Sequence, residues 1–149
     1  MIVDTCLHIL IVDDDLDMAT VFDSMLGKFS PSQLIYKIVA NPYDALLDMA
    51  NNEYDLMFID INIPEISGHE ILLRMDDFIQ GDRTIKNSNL YQNKVPVILM
   101  SSSSTLLKRD VTLKHFYVQH KVLKQDITKF ISSRLAQFQG KFNEDAPAQ

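Results

Sequence analysis

The chain contains one cysteine, Cys6, among 149 residues. A lone thiol excludes a disulfide framework within the chain and suits a reducing compartment. Next to the first apolar run, Cys6 reads as an ordinary buried thiol. No apolar run approaches the roughly 20 residues that a membrane span requires. The N-terminus has neither the basic start nor the apolar core of a secretory signal. A cytoplasmic location without a membrane span is the expectation. Positive charge is also scarce, with 14 Lys and Arg against 20 Asp and Glu and a net charge of -6. That balance argues against a general nucleic-acid-binding surface, although it permits a local basic patch. No internal repeat appears, and the length suits one hydrophobic core rather than two domains.

What is present is a regular alternation. "LHILIVDDD" reads as a strand that ends in acid, and "DMATVFDSMLGKF" follows with Met18, Val21, Phe22, Met25, Leu26 and Phe29 at helical spacing. "LIYKIVA" is a second strand. "NPYDALLDMANN" starts a helix with Asn41 as N-cap and Pro42 in its first position. "YDLMFIDINIP" is a third strand, apolar on both faces as a central parallel strand must be. Pro64 and Gly68 frame a turn before the helix "HEILLRMDDFI". A long polar loop is expected over residues 80–94. "VPVILM" is the fourth strand, running into "SSSS", with a short helix expected within Thr105 to Leu113. "HFYVQHK" is the fifth strand and "LKQDITKFISSRLAQF" the last helix, before a short polar tail at residues 140–149. Five strands alternating with helices predict an α/β fold: a doubly wound, five-stranded parallel sheet with helices on both faces.

In such a sheet, ligands sit beyond the carboxyl ends of the strands, where strand order reverses. The first strand ends at Asp13, Asp14 and Asp15, the third at Asp60, the fourth at Ser101 and Ser102, and the fifth near His120 and Lys121. Three adjacent aspartates repel one another and cost stability unless water, a helix N-terminus or a cation offsets the charge. Asp15 fits a helix N-cap or a solvent-facing residue better than a ligand. Asp13, Asp14 and Asp60 offer the oxygen ligands that a hard divalent cation takes, and such an ion beside a lysine would receive a phosphoryl group.

At these residues the chain resembles the receiver domains of response regulators in two-component signalling, a CheY-like, flavodoxin-like fold. The resemblance rests on "ILIVDDD", on "MFIDINIPEISG" with Asp60, Pro64 and Gly68, and on "VPVILMSS" with Ser101. It covers residues 1–139 as the receiver domain. It implies Asp60 as phosphoacceptor and a Mg²⁺ site from Asp13, Asp14, Asp60 and the backbone carbonyl of Asn62. It implies Ser101 and Lys121 as the groups that bind the phosphoryl oxygens. The Asn62 side chain and Ser103 would tune hydrolysis of the aspartyl phosphate. The implied partners are a sensor histidine kinase or histidine phosphotransfer protein and a downstream protein target, with no direct nucleic acid; a weak homodimer is left open. A stand-alone receiver, switching partner binding with only weak self-dephosphorylation, is the expectation.

Strand five departs from the family pattern. Val122 follows Lys121 where the family has a proline in a cis bond. A cis bond without proline costs about 2.5–4 kcal/mol, so a trans bond with a shifted loop, or retained strain, is expected. The aromatic switch residue, counted back from Lys121, lands on Val118; Tyr117 takes that place only if His120 replaces the lysine or the strand bulges. These departures sustain an alternative: a degenerate receiver acting as an interaction module without phosphate. A Mg²⁺-dependent phosphatase with an aspartyl nucleophile is a weaker third reading, since it normally needs an additional cap or general acid.

Overall fold

In the computed structural model, residues 6–81 and 95–145 are described; the loop expected at 80–94 lies outside them from residue 82 onward, as does the end of the tail from 146. The elements alternate as β1 (Leu7–Val12), α1 (Leu16–Leu26), β2 (Leu34–Val39), α2 (Pro42–Asn51), β3 (Leu56–Asp60), α3 (Gly68–Gly81), β4 (Val95–Ser101), α4 (Ser104–Leu107), β5 (Phe116–Leu123) and α5 (Ile127–Asp145). A 3-10 turn, Lys124–Asp126, joins β5 to α5. The five strands form one parallel sheet in the order β2-β1-β3-β4-β5. From β1 the chain steps outward to β2 and then returns to β3 on the other side of β1. The strand order therefore reverses between β1 and β3, and a crevice opens beyond their carboxyl ends.

Two cores follow from two covered faces. On one face Leu10, Val12, Met57, Ile59, Val97 and Leu99 pack under α2, α3 and α4. On the other, Ile9, Ile11, Phe58, Ile98 and Met100 pack under Met18 and Phe22 of α1 and Ile127 and Ile131 of α5. Strands β1, β3 and β4 bury both sets of side chains, which is why they read as unbroken apolar runs. The helices begin where local chemistry predicts. Asp15 Oδ1 accepts the Asp17 N–H at 2.9 Å and caps α1, as Asn41 caps α2 ahead of Pro42. The last helix runs through the first six residues of the expected tail, to Asp145.

The fifth strand differs most from its expected form. It extends past Lys121 to Leu123 and carries a bulge. Val97 pairs with Val118 and the next residue, Ile98, pairs with His120, so Gln119 is the extra residue. Phe116 and Val118 join the core under α3 and α4, whereas after the bulge that face is continued by Lys121 and Leu123. Val122 turns to the α1–α5 face.

A buried carboxylate anchors the approach to β5. Asp76 of α3 accepts the Lys114 N–H at both oxygens (3.0 and 2.9 Å) and the His115 N–H at 2.7 Å. Asp76→Ala takes the acceptor from these part-buried backbone donors and is expected to cost about 2 kcal/mol in urea denaturation. A loss within experimental error would show that the segment finds other acceptors.

Candidate functional site

The first residues beyond the strand ends meet at the switch point. Asp13 follows β1, Asp60 ends β3, Ser101 ends β4, and Lys124 follows β5. Asp13, Asp60 and Ser101 are buried. Lys124 Nζ lies 3.0 Å from Asp60 Oδ2 and donates to Asp13 Oδ1 at 3.1 Å. Asp15 stands further off, with Oδ2 at 3.7 Å.

This corrects the expectation for Lys121. Its ammonium pairs instead with Asp110 and donates to the Arg109 carbonyl at 3.3 Å. The bulge at Gln119 and the two apolar residues after Lys121 prolong the strand, so the first cation beyond it is Lys124. The Lys121–Val122 bond is trans and lies inside β5; no cis bond occurs among the described residues. Gln125, not proline, follows Lys124, so the departure from the family pattern persists one turn later. His120 does not face the crevice: its ring packs against Phe130 of α5 at 5.2 Å. Tyr117 is also corrected as a switch residue. It pairs with Pro96 near the start of β4 and is exposed, five residues before Ser101, or roughly 15 Å along the strand.

The acids are held by backbone donors. Asp13 Oδ1 accepts the Asp15 N–H at 2.9 Å and Asp60 Oδ1 accepts the Asn62 N–H at 3.0 Å. Ser101 Oγ accepts the Ser103 N–H at 3.0 Å, at the residue that precedes α4. Burial, together with the charge of Asp60, pushes the Asp13 carboxyl up to about 6, against the pull of the Asp15 N–H and Lys124. Lys124, although burial opposes its charge, is held above the ordinary lysine range by Asp60 and Asp13. The turn after β3 is closed by Gly68, whose N–H donates to the Ile61 carbonyl at 2.9 Å. A Cβ on Gly68 would lie 2.5 Å from the Asp60 carbonyl oxygen. In the same turn Glu65 adopts a positive φ of 76°.

Oxygen atoms of Asp13, Asp14 and Asp60 lie within 4.8 Å of one another. Asp13 Oδ2 is buried, makes no hydrogen bond among the described residues, and touches Lys124 Nζ only as an ion pair at 3.1 Å. A buried carboxylate oxygen with spare lone pairs, in an all-oxygen set, fits a hard divalent cation such as Mg²⁺. Asp14 is exposed and offers its carboxylate from the open side.

A parallel doubly wound sheet with acids and one ammonium at its switch point defines a class of phosphoryl- and metal-binding α/β domains. Within that class, the family profile of response regulator receiver domains matches residues 9–131, and the chain belongs to that family. Solved structures share the fold. The response regulator TrrA of Thermotoga maritima, in complex with Mg²⁺ and BeF, is 20% identical with a TM-score of 0.62, over 89% of this chain and 98% of that one. The receiver domain of a sensor histidine kinase from Pseudomonas aeruginosa, with magnesium coordinated in its active-site cleft, is 19% identical with a TM-score of 0.62, over 90% and 98%. A chemotaxis protein of Vibrio cholerae is 12% identical with a TM-score of 0.60, over 89% and 98%. Comparison with curated protein sequences returns no match. No described helix is long and apolar enough to cross a membrane.

Proposed function

We propose that Asp60 accepts a phosphoryl group from a phosphohistidine on a sensor kinase or histidine phosphotransfer protein, and that this charge switches the binding of a downstream protein. The observation that carries the reading is the Lys124 ammonium set between Asp60 and Asp13, at 3.0 and 3.1 Å, in the switch-point crevice. Asp60 presents a carboxylate oriented by the Asn62 N–H. Its oxygen attacks phosphorus in line, the phosphorus–nitrogen bond of the donor breaks, and an acyl phosphate results. Mg²⁺, held by Asp13, Asp14, Asp60 and the Asn62 carbonyl, would supply neutralising charge for the phosphoryl oxygens. Lys124 transfers its hydrogen bond from the Asp60 carboxylate to a phosphoryl oxygen, taking the role the resemblance gave to Lys121.

Ser101 links this chemistry to the surface. Its Oγ accepts the Ser103 N–H, which leaves its own proton for a phosphoryl oxygen. Turning toward Asp60 withdraws the acceptor from Ser103, and the one-turn helix α4 loses its hold at that end. The Asn62 side chain and Ser103 flank the entry and set how readily water reaches the acyl phosphate.

Incubation with acetyl phosphate tests the reading. Intact mass is expected to rise by one phosphoryl group with Mg²⁺ present, and by none after chelation or in Asp60→Asn. An adduct that persists in Asp60→Asn would move the acceptor elsewhere. A Mg²⁺ titration without detectable binding would favour the phosphate-independent interaction module.

A further inference from the structure

Strand β2 forms one edge of the sheet, and no described strand pairs with its outer side. The Gln33 and Val39 carbonyls accept from β1 at 2.9 and 3.0 Å. The odd-numbered residues of β2 therefore turn their backbone groups inward, and Leu34, Tyr36 and Ile38 turn theirs outward. Ser30 satisfies the Leu34 N–H at 3.0 Å. The backbone groups of Tyr36 and Ile38 on that outer side make no hydrogen bond among the described residues.

Sheet edges are ordinarily guarded by an outward lysine, a proline or a bulge. β2 reads LIYKIV, without proline, and pairs with β1 in unbroken register. Its one lysine, Lys37, is turned to α2, where it pairs with Asp48. Asp48 is buried and also accepts from the Tyr54 hydroxyl and, at 3.0 Å, from the Asn52 amide. Lys37 thus serves a fixed buried charge and leaves the edge open. Between the edge and α2 runs an open cleft of about 550 Å³, with Ile38 and Ala40 on the strand side and Asp44, Leu47 and Asp48 on the helix side. Leu47 is exposed, as is Ile35 on the same face of β2.

The charge around the cleft has one sign. No Lys or Arg occurs between Lys37 and Arg74, a span that carries Asp44, Asp48, Glu53 and Asp55 on or next to α2. Lys37 is committed to Asp48, so exposed Asp44 is the charge in the cleft that no described cation offsets.

We propose that the β2 edge receives an extended segment of a partner protein, apolar and basic in alternation, which adds to the sheet as a further strand. Its backbone bonds to Tyr36 and Ile38. Its basic side chains lie on the α2 face, with their stems over Ile35 and Leu47 and their charges at Asp44. Its apolar side chains continue the opposite face, where Tyr36 and Ile38 pack against the core. A second copy of this chain fits less well, since it brings a net charge of -6 to an already acidic cleft. The surface does not depend on phosphoryl transfer and is testable without it.

The test is backbone amide exchange, read by NMR on the full chain, with a capped synthetic peptide of alternating valine and arginine as long as β2. At about 1 mM peptide, the Tyr36 and Ile38 amides are expected to exchange at least about threefold more slowly. The same peptide with glutamate for arginine should slow neither. Asp44→Lys should weaken binding of the arginine peptide by about fivefold or more. Ile38→Pro removes an outward N–H, spares the pairing with β1 and should abolish the slowing at Tyr36. Asp44 is exposed, so its variant keeps the test open whatever the proline does to stability. Binding that leaves both amides fast, equal slowing by the glutamate peptide, or no binding at about 1 mM overturns the proposal. Slowing that rises with protein concentration in the absence of peptide gives the edge to a second copy and overturns it as well.

Discussion

Lys124→Met is expected to lose about 3 kcal/mol of stability in metal-free buffer at pH 8 and to bind Mg²⁺ at least about tenfold more tightly than the wild type. The two effects have one cause. Lys124 is the ammonium that touches both Asp13 and Asp60, and its side chain is only 14% exposed. Without it, two buried carboxylates face each other uncompensated. Asp13 is already pushed up to about 6 by burial and by Asp60. A carboxyl raised by folding costs nothing below its unfolded value near 4, and its cost accrues as pH rises from there to the folded value. The wild type already bears that cost up to about pH 6, and removing Lys124 raises Asp13 further, so the deficit of the variant should open above about pH 6, and Mg²⁺ should recover most of it. Lys121→Met is the contrast. Its partner Asp110 is exposed, so the change should cost under about 1 kcal/mol and leave phosphoryl uptake intact. Urea denaturation with and without Mg²⁺, with calorimetric titration of the metal, measures both. Equal Mg²⁺ affinity in Lys124→Met and wild type would remove Lys124 from the metal-binding crevice.

Gly68→Ala should do comparable damage by a different route. The added Cβ would stand 2.5 Å from the Asp60 carbonyl oxygen, 3.0 Å from its carbonyl carbon and 2.9 Å from Ile59 Cγ2. Two of these three atoms are backbone in the central strand, so no flexible side chain can swing aside to absorb the clash. Either α3 withdraws from β3 or the end of β3 shifts and takes the Asp60 carboxylate with it. A loss of about 3 kcal/mol is expected, with phosphoryl uptake from acetyl phosphate slowed beyond what the unfolded fraction explains. Wild-type stability would mean that the turn after β3 has slack that the static packing does not reveal.

Most of the frame was legible in the sequence because the central strands obey a simple rule. A strand buried on both faces is apolar throughout, and its end is marked by the first polar residue. That rule placed Asp13, Asp60 and Ser101 at the ends of β1, β3 and β4. It failed on the edge strand β5, where one side is exposed and polar residues are allowed inside the strand. Gln119, His120 and Lys121 read as an ending, yet they lie in the middle, and the bulge at Gln119 breaks the alternation that would have revealed it. The usable signal was Val122 and Leu123, an apolar pair directly before Lys124, repeating the apolar-to-charged step of β1 and β3.

The bulge also constrains how this chain can change length. Phe116, before Gln119, is committed to the core under α3 and α4; Val122, after it, is committed to the opposite core. Deleting Gln119 would leave a regular strand, because Phe116 would still pair with Val95 and Leu123 with Ser101, each on its present face. A second deletion between these anchors would have no extra residue to absorb it, and Phe116 could keep its place only if Lys124 were drawn back from the crevice. The strand that delivers Lys124 to the site therefore holds a single residue of slack.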